Sequence, residues 1–324
     1  MEENTEQRVD LTLFSEKIQE LKDRIASVIV GQEQTVDLVL TAILANGHVL
    51  IEGVPGVAKT LLARLTARLI DADFSRVQFT PDLMPSDVLG TTVFNMKTNA
   101  FDFHQGPIFA DIVLVDEINR APAKTQAALF EVMEERQISI DGTTHRMGDL
   151  YTILATQNPV EQEGTYKLPE AQLDRFLMKI TMDYPSLEEE VNILERHHTN
   201  AALVKLDDIV PAITKEELLS LRAFMNQVFV DRTLLQYIAL IVQQTRTSKA
   251  VYLGASPRAS VAMLQSSKAY ALLQGRDFVT PEDIKFVASY VLQHRLILTA
   301  EAEMEGYSPV KVTQRLIDKV EVPK

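Results

Sequence analysis

Eight residues in the first quarter of the chain have the composition of a phosphate-binding loop. An apolar run at residues 49–51 leads into the segment 53–60, which reads Gly-Val-Pro-Gly-Val-Ala-Lys-Thr and precedes a helical pattern. Glycines allow backbone N–H groups to turn toward phosphate oxygens, and the N-terminus of a helix attracts anions. In this arrangement Lys59 would reach the β- and γ-phosphates of a nucleotide, and Thr60 would be a ligand of Mg²⁺.

One position of this loop departs from the usual pattern, in which glycine directly precedes the lysine. The residue here is Ala58. We expect Ala58 to lie in the first turn of the following helix with a negative φ, where alanine has little conformational cost. On that expectation the departure does not weaken the interpretation of the loop.

Polar side chains follow two later apolar runs. Residues 112–115 precede Asp116 and Glu117, and residues 152–155 are followed shortly by Asn158. At the edge of a parallel sheet, Asp116 would complete the metal's ligand shell, and Glu117 would polarise the attacking water while Asn158 orients it. Acidic residues also end strands by chance, and asparagine is common in turns. The combination with a phosphate loop about 60 residues earlier favours the functional interpretation.

Three arginines could supply positive charge to the same chemistry. Arg175 follows Asp174 at the end of a short predicted helix, and pairing with that aspartate is its alternative role. Arg258 begins a helix after Ser256, where the helix dipole disfavours a cation unless an anion is near. Arg120 follows the two acids, has the same ambiguity and remains a secondary candidate.

Short apolar segments alternate with helical ones through the first half of the chain. Apolar residues recur at helical spacing over residues 11–25 and 36–44, and a further helix follows the loop. Strands that alternate with helices predict an α/β fold with a parallel sheet covered on both faces. The predicted strands are 49–51, 77–79, 112–115, 152–155 and 178–180.

The pattern changes after Pro185. Ser186 and Glu189 form a capping box, which begins a helix, and no convincing strand pattern follows. We therefore predict an α/β domain over residues 1–185 and an all-helical domain over residues 186–324.

Two segments interrupt the first domain, at about 88–106 and 136–147, and both read as inserted β-ribbons. The first contains four bulky apolar residues, which suit contact with a protein. The alternative is that all four anchor the ribbon to the core. The cations of the two ribbons are Lys97, Arg136 and Arg146, and the apolar residues are Phe94, Met96, Phe101 and Phe103.

Composition bounds the remaining possibilities. The 324 residues at ~150 per domain favour two domains, and the absence of cysteine excludes disulfides, thiolate zinc sites and a cysteine nucleophile. The six histidines form no cluster with the spacing of metal ligands. No apolar run approaches the ~20 residues of a membrane span, and residues 1–4 lack the features of a signal peptide. We expect a soluble, cytoplasmic protein.

Taken in order, these segments resemble an AAA+ ATPase, and three of them are similar to the MoxR branch. Those three are 53–60, 116–122 (Asp-Glu-Ile-Asn-Arg-Ala-Pro) and 155–159 (Ala-Thr-Gln-Asn-Pro). Alanine before the lysine is usual in that branch, whereas Ala123 stands where a second proline is more frequent. The resemblance extends from about residue 29 to the end of the chain.

The resemblance implies ATP and Mg²⁺ as ligands and gives the candidate residues family roles. Asn158 matches sensor 1, Arg175 the arginine finger and Arg258 sensor 2, while the two ribbons match the helix-2 and pre-sensor-1 inserts. The implied catalytic residues are Lys59, Asp116, Glu117, Asn158, Arg175 and Arg258, with Thr60 and Asp116 on the metal. The residues implied for the nucleotide are Gly31, Gly53, Val54, Pro55, Gly56, Val57, Ala58, Lys59, Thr60 and Leu61.

The resemblance also implies a homo-oligomeric ring, most often a hexamer. Its members are described as chaperone-like ATPases that mature partner proteins or load metals into them, and those partners often contain von Willebrand A domains. Three alternatives remain open: a nucleotide-gated switch, a DNA-translocating motor and a motor subunit for metal insertion into a tetrapyrrole. Intact Glu117 and Asn158 argue against the switch.

Charge argues against the motor on DNA. The chain carries 45 acidic and 32 basic residues, of which only 17 and 16 lie in residues 186–324. The acidic excess is therefore concentrated in the half that bears the ribbons, and it repels a polyanion at long range. We do not expect nucleic acid as a partner.

Overall fold

The computed structural model describes residues 11–159, 165–166, 168–199 and 208–323. Residues 1–4, on which the absence of a signal peptide was argued, lie outside this set. The strands are β1 Val49–Gly53, β2 Phe74–Gln78, β3 Gly90–Asn95, β4 Ala100–Gln105, β5 Ile112–Asp116, β6 Gln137–Ile140, β7 Thr143–Arg146, β8 Thr152–Gln157, β9 Met178–Met182, β10 Val251–Leu253 and β11 Ile297–Leu298.

Helices surround the strands and make up most of the second half. They are α1 Leu11–Val28, α2 Glu33–Leu44, α3 Lys59–Leu69, α4 Pro85–Leu89, α5 Ala123–Glu135, α6 Glu170–Leu173, α7 Leu187–His198, α8 Lys215–Phe224, α9 Arg232–Thr247, α10 Pro257–Leu273, α11 Pro281–Leu292, α12 Ala300–Met304 and α13 Pro309–Asp318. Within the described ranges, no helix is long and apolar enough to cross a membrane.

The five predicted strands form one parallel sheet in the order β2-β5-β8-β1-β9, which confirms the α/β prediction. β1, which leads into the phosphate loop, lies beside β8, and β8 lies beside β5. The carboxyl ends of parallel strands meet at one edge of the sheet. The loop, Asn158 and the two acids therefore follow three adjacent strands.

The sheet is buried on both faces, as its apolar strands predict. Along β5, Ile112 and Leu114 pack into the core shared with the helices of the second half, whereas Val113 and Val115 pack on the opposite side. Strand side chains alternate between faces, so one short run contributes to both cores. The opposite core also contains Phe130 of α5, whose ring meets Phe176 edge-on.

The two interrupting segments form antiparallel ribbons, β3–β4 and β6–β7. The second ribbon turns at Asp141 and Gly142, which both have positive φ, 49° and 78°. Those angles are the ones that a two-residue turn joining twisted strands requires. Both ribbons have the predicted positions.

The second half is helical apart from one short pair of strands. β10 pairs antiparallel with β11, so the prediction that residues 186–324 contain no strand is wrong. Strands of two or three residues are too short to show an alternating pattern, which explains the error. The capping box at Ser186 and Glu189 is present, and the boundary at residue 185 remains a prediction.

Candidate functional site

The phosphate loop has the open backbone that its sequence predicts. It runs from Gly53, the last residue of β1, to Lys59, the first residue of α3. Gly56 has a φ of +90° and no atom within 4 Å of where a Cβ would be, so its backbone is accessible to an anion. The Lys59 ammonium donates to the Gly53 carbonyl at 2.5 Å. Burial lowers the pKa of Lys59, and the nearby charges of Asp116 and Glu117 act in the opposite direction.

Ala58 corrects one prediction about this loop. Its φ is +62°, in the left-handed region, and it caps α3 instead of belonging to its first turn. The chain must leave the loop through this left-handed residue before the helix can begin. Glycine adopts that conformation without cost, whereas alanine is disfavoured there by roughly 1–2 kcal/mol. The usual glycine before the lysine therefore has a backbone reason, and this chain carries a small strain at that position.

Asp116 ends β5 with both carboxylate oxygens hydrogen-bonded. The Arg76 Nε donates to one oxygen at 2.6 Å, and the Thr156 hydroxyl donates to the other at 3.1 Å. An ionised carboxylate has about four lone-pair sites, so acceptor capacity remains for a cation or its water. Carboxylate and hydroxyl oxygens are the donors that Mg²⁺ prefers, and Asp116 and Thr60 fit that ion chemically.

Glu117 has an unusual backbone and two side-chain partners. Its φ is +56°, and its N–H donates to the Thr156 hydroxyl at 3.0 Å. Its carboxylate accepts from Gln78 at 2.8 Å and from Arg120 at 3.0 Å. Non-glycine residues held in this region are often found at functional sites. Arg120 therefore has a defined partner, which the sequence had left open.

Thr156 and Gln78 were not selected from the sequence, although each had a signal. Thr156 stands two positions before Asn158, and its single hydroxyl ties Asp116 to the Glu117 backbone. Gln78 ends β2, where the register pairs it with Asp116. Asn158 itself follows β8 and is buried, at 7% exposure.

A cavity of about 250 Å³ lies beside the phosphate loop. Its lining is mostly apolar, which suits the flat base of a nucleotide. Gly31 is not among the lining residues, and its contact with a nucleotide remains a prediction. A Cβ there would lie 2.2 Å from a carboxylate oxygen of Glu189, at the start of α7. The cavity is lined by Val28, Ile29, Val30, Gln32, Gly56, Val57, Ala58, Leu61, Pro185, Ile193 and His197.

Arg175 and Arg258 come together on one carboxylate that the sequence did not predict. Two guanidinium nitrogens of Arg175 lie 2.8 Å from one oxygen of Glu134, and Arg258 donates to the other at 3.1 Å. The Arg175 guanidinium also lies over the Phe130 ring, 5.8 Å from its centroid. Hydrogen bonding from Arg175, and then its charge, lowers the pKa of Glu134.

The alternative pairing of Arg175 with Asp174 does not occur. Asp174 instead accepts from Arg295 at 2.6 Å. We call Glu134, Arg175 and Arg258 the arginine group, and Lys59, Thr60, Asp116, Glu117 and Asn158 the phosphate-loop group. Within the described residues, the side-chain hydrogen bonds of both arginines go to Glu134 and none joins the two groups.

Comparison with known proteins agrees with this fold and site. Residues 48–178 match the model of the ATPase family associated with various cellular activities (AAA), and residues 243–318 match the AAA lid domain. The crystal structure of a candidate ATPase from Cytophaga hutchinsonii superposes with a TM-score of 0.89, at 40% identity over 97% of both chains.

Relatives that match this chain over most of their own length indicate its branch within the AAA+ ATPases. YeaC of Bacillus subtilis, an uncharacterized protein, is 47% identical over 93% of both chains. Chaperone MoxR1 of Mycobacterium tuberculosis is 44% identical over 93% of this chain and 81% of that protein. MoxR of Methylorubrum extorquens is 30% identical over 91% of both. The fold and site define an AAA+ ATPase, and the chain belongs to the MoxR family of these enzymes.

Proposed function

We propose that this ATPase binds Mg·ATP at residues 53–60 and couples hydrolysis to the remodelling or maturation of a partner protein. The observation that carries the proposal is the Thr156 hydroxyl, which ties Asp116 to the Glu117 backbone with contacts of 3.1 and 3.0 Å. Both acids follow β5 and the phosphate loop follows β1, two strands away in the same parallel sheet, so the acids and the loop share one edge of that sheet. Phosphoryl transfer depends on such positioning and on charge placement.

Each member of the phosphate-loop group has a separate role in this proposal. Lys59 binds the β- and γ-phosphates as a point charge. Thr60 and Asp116 hold Mg²⁺, which supplies positive charge to the phosphate oxygens when it is bound. Glu117 takes the proton of the attacking water, which Asn158 orients. Because the Glu117 carboxylate is bonded to two side chains in the structure, it must exchange at least one for the water.

The arginine group acts, in this proposal, on the nucleotide of a neighbouring subunit. Charge that develops on the transferred phosphoryl group needs a cation beyond Lys59, and arginines supplied by a neighbour meet that need in related chemistry. Two guanidinium groups fixed on Glu134 support such a shared role. We therefore propose a homo-oligomeric ring, closed by six copies as the family resemblance implies.

The tip of the β3–β4 ribbon supports a protein partner. Phe94, Met96 and Phe101 are 45%, 89% and 72% exposed, while Phe103 packs edge-on against Phe109. One of the four apolar residues therefore anchors the ribbon, and three remain available for contact. A client with a von Willebrand A domain, and metal loading as the outcome, follow from the family resemblance alone. A cytoplasmic location belongs to the same proposal.

Nucleic acid fits the ribbons poorly. Arg136, one of their three cations, donates to the carbonyls of Tyr151 and Asn46 and is occupied within the fold. Lys97 and Arg146 are left for phosphate contacts, and non-specific DNA binding scales with the number of such contacts. ATPase stimulation of several-fold by DNA, lost at higher salt, would contradict a protein client.

A trapped complex tests the client directly. Glu117→Gln with ATP should hold the partner, because the amide keeps the shape of the site but cannot accept the proton. Adding Phe101→Ser should release the partner. Adding Met304→Ser, which changes an even more exposed apolar residue of α12 (89%), should not. Retention of the same proteins by all three variants would remove the ribbon from the proposal.

A further inference from the structure

The short segment 174–177, which carries Arg175, is called the arginine loop. Residues that follow α11 hold this loop through several hydrogen bonds. The Arg295 Nε donates to the Asp174 carboxylate at 2.6 Å. The remaining guanidinium nitrogens donate to the carbonyls of Asp174 (3.3 Å), Phe176 (2.7 Å) and Leu177 (3.1 Å). Arg295 thus reaches residues on both sides of Arg175.

The two residues before Arg295 add further hydrogen bonds to the same region. His294 Nε2 donates to the Phe176 carbonyl at 3.0 Å, and Gln293 donates to the Lys179 carbonyl at 2.6 Å. Burial keeps His294 neutral by lowering its pKa well below the ordinary value. Three consecutive residues of the helical half are therefore bonded to the arginine loop and the strand that follows it.

The side chain of Arg295 is only 4% exposed. Burial of a charge costs free energy unless an opposite charge and hydrogen-bond acceptors compensate for the lost water. Burial lowers the pKa of Arg295, and the Asp174 carboxylate acts against that shift. A guanidinium presents five N–H donors in a rigid plane, whereas an apolar side chain could fill the space without directing any backbone group. The fork therefore sets the path of the arginine loop as well as filling space.

The same half of the chain supplies the second arginine. Arg258 lies in the first turn of α10, and the Ser256 hydroxyl that caps this helix donates to Asp174 at 3.4 Å. Asp174 is thus bonded to Arg295 and to the start of α10, while Glu134 joins Arg175 to Arg258. The helical half and the arginine loop form one connected unit.

We propose that Arg295 is a positioning residue that, through Asp174 and the backbone of the arginine loop, places Arg175 beside Arg258. The inference rests on the proposed role of Arg175 in a neighbouring subunit. Its consequence is that damage to Arg295 lowers hydrolysis at the neighbour's nucleotide, while the damaged subunit's own phosphate loop stays competent. If Arg295 only stabilised the fold, damage to it would instead impair nucleotide binding and hydrolysis at the damaged subunit's own phosphate loop.

Two conservative variants test the position of the loop. Arg295→Lys keeps the charge but loses the fork, and Asp174→Asn keeps the carbonyl contacts but loses the ion pair. We expect either to lower kcat about 10²-fold, as a misplacement of about 1 Å does, with KM changed less than about twofold. If Arg295→Lys does not fold, Asp174→Asn carries the test alone.

Arg276→Lys is the matched control. Arg276 forms a forked ion pair with Asp283 at 2.5 and 2.7 Å, also in the helical half, but it does not contact the arginine loop. It should lower the melting temperature by a similar amount and leave kcat within about twofold of the parent. An equal loss of kcat in the control and in both test variants would overturn the proposal.

Mixed oligomers separate this inference from the function on which it rests. Asp174→Asn subunits mixed with Lys59→Ala subunits should recover ATPase activity, because an intact phosphate loop then meets an intact arginine group. Arg175→Ala mixed with Lys59→Ala is the reference pair. Recovery in the reference pair alone would overturn the role of Arg295. No recovery in either pair, with subunit exchange demonstrated, would overturn both the shared site and this inference.

Discussion

The phosphate-loop group and the arginine group differ in what holds them. Lys59, Asp116 and Asn158 follow adjacent strands of one parallel sheet, so the sheet order alone brings them to one edge. Arg175 and Arg258 are both bonded to Glu134 in α5. The arginine loop, which carries Arg175, is in turn held by Arg295, which follows α11. The first group is assembled by strand register and the second by contacts between the two halves of the chain.

That difference separates two tasks. A site at a sheet edge is rigid and suits binding, where small displacements would weaken contacts to phosphate. A site that joins the helical half to the α/β half moves when those halves move, which suits control of turnover. We therefore expect changes in the first group to affect binding or the water, and changes in the second to affect kcat with binding intact.

Among the changes in the two groups, loss of Arg175 should reduce the rate of ATP hydrolysis most. Arg175→Ala removes the cation proposed for the transition state, and we expect hydrolysis to fall by ~10³–10⁵-fold with ATP affinity nearly unchanged. Nucleotide binding and phosphate release, measured on the same preparation, provide the check. A parallel loss of affinity would assign Arg175 to its own subunit's binding site.

Two substitutions divide the phosphate-loop group. Glu117→Gln should bind ATP but hydrolyse it ~10²–10⁴-fold more slowly, because the amide cannot accept the water's proton. Lys59→Ala should lose affinity, because it removes the charge proposed to face the phosphates. Titration with a fluorescent nucleotide measures both. If the two variants lost affinity equally, the division of roles would be wrong.

Acid should weaken the support of α5, which carries Glu134. The buried His48 donates from Nε2 to the Met133 carbonyl at 3.1 Å and accepts the Ile153 N–H on Nδ1 at 3.0 Å. Burial, and then the charge of Arg136, lowers the pKa of His48 to about 3 from 6.5. The unfolded chain therefore takes up the proton first, and the free energy of unfolding falls by ~1.4 kcal/mol per unit as the pH drops below about 6.5 toward 3.

Denaturant titrations near neutral and at mildly acidic pH can test this. His48→Gln can still donate and accept, so its free energy of unfolding should depend less steeply on pH than that of the parent. Some dependence remains, because His294 is also buried with a lowered pKa. Identical slopes for parent and variant would exclude His48 as a source.

Glu134→Gln sharpens the description of the arginine group. The amide accepts more weakly than the carboxylate, so Arg175 and Arg258 should lose part of their alignment, and we expect kcat to fall about tenfold. Glu135→Gln, one residue later on α5, is the control and should leave kcat unchanged. Full activity in the Glu134 variant would show that the arginines align without it.

The smallest expected effect lies in the phosphate loop. Ala58→Gly relieves the left-handed alanine but adds flexibility to the unfolded chain, so the net gain in stability should be about 1 kcal/mol or less. Thermal unfolding measures the change. A lower melting temperature would mean that the alanine side chain contributes packing that outweighs its backbone cost.

Local sequence carried enough information for one of the two groups. The segment 53–60 and the paired acids lie directly after apolar strands, so short-range patterns predicted both the elements and the residues. Arg175 and Arg258 were candidates from their positions and received their roles through the resemblance, but Glu134 and Arg295 were not predicted. Their partners lie 41 and 121 residues away, and no local pattern marks such contacts. The positive φ of Ala58 was missed because the residue type argued for the opposite.

The grip of Arg295 on the arginine loop also has a consequence for the order of folding during synthesis. The contact joins residues 121 positions apart, and the ribosome releases residue 174 long before residue 295. Contacts of such separation form late, and N-terminal units fold first. A growing chain can thus complete its sheet and phosphate loop while the arginine loop still lacks its support. Nascent chains would be able to bind nucleotide before they could supply Arg175 to a neighbouring subunit. Active oligomers would therefore form only when synthesis is nearly complete.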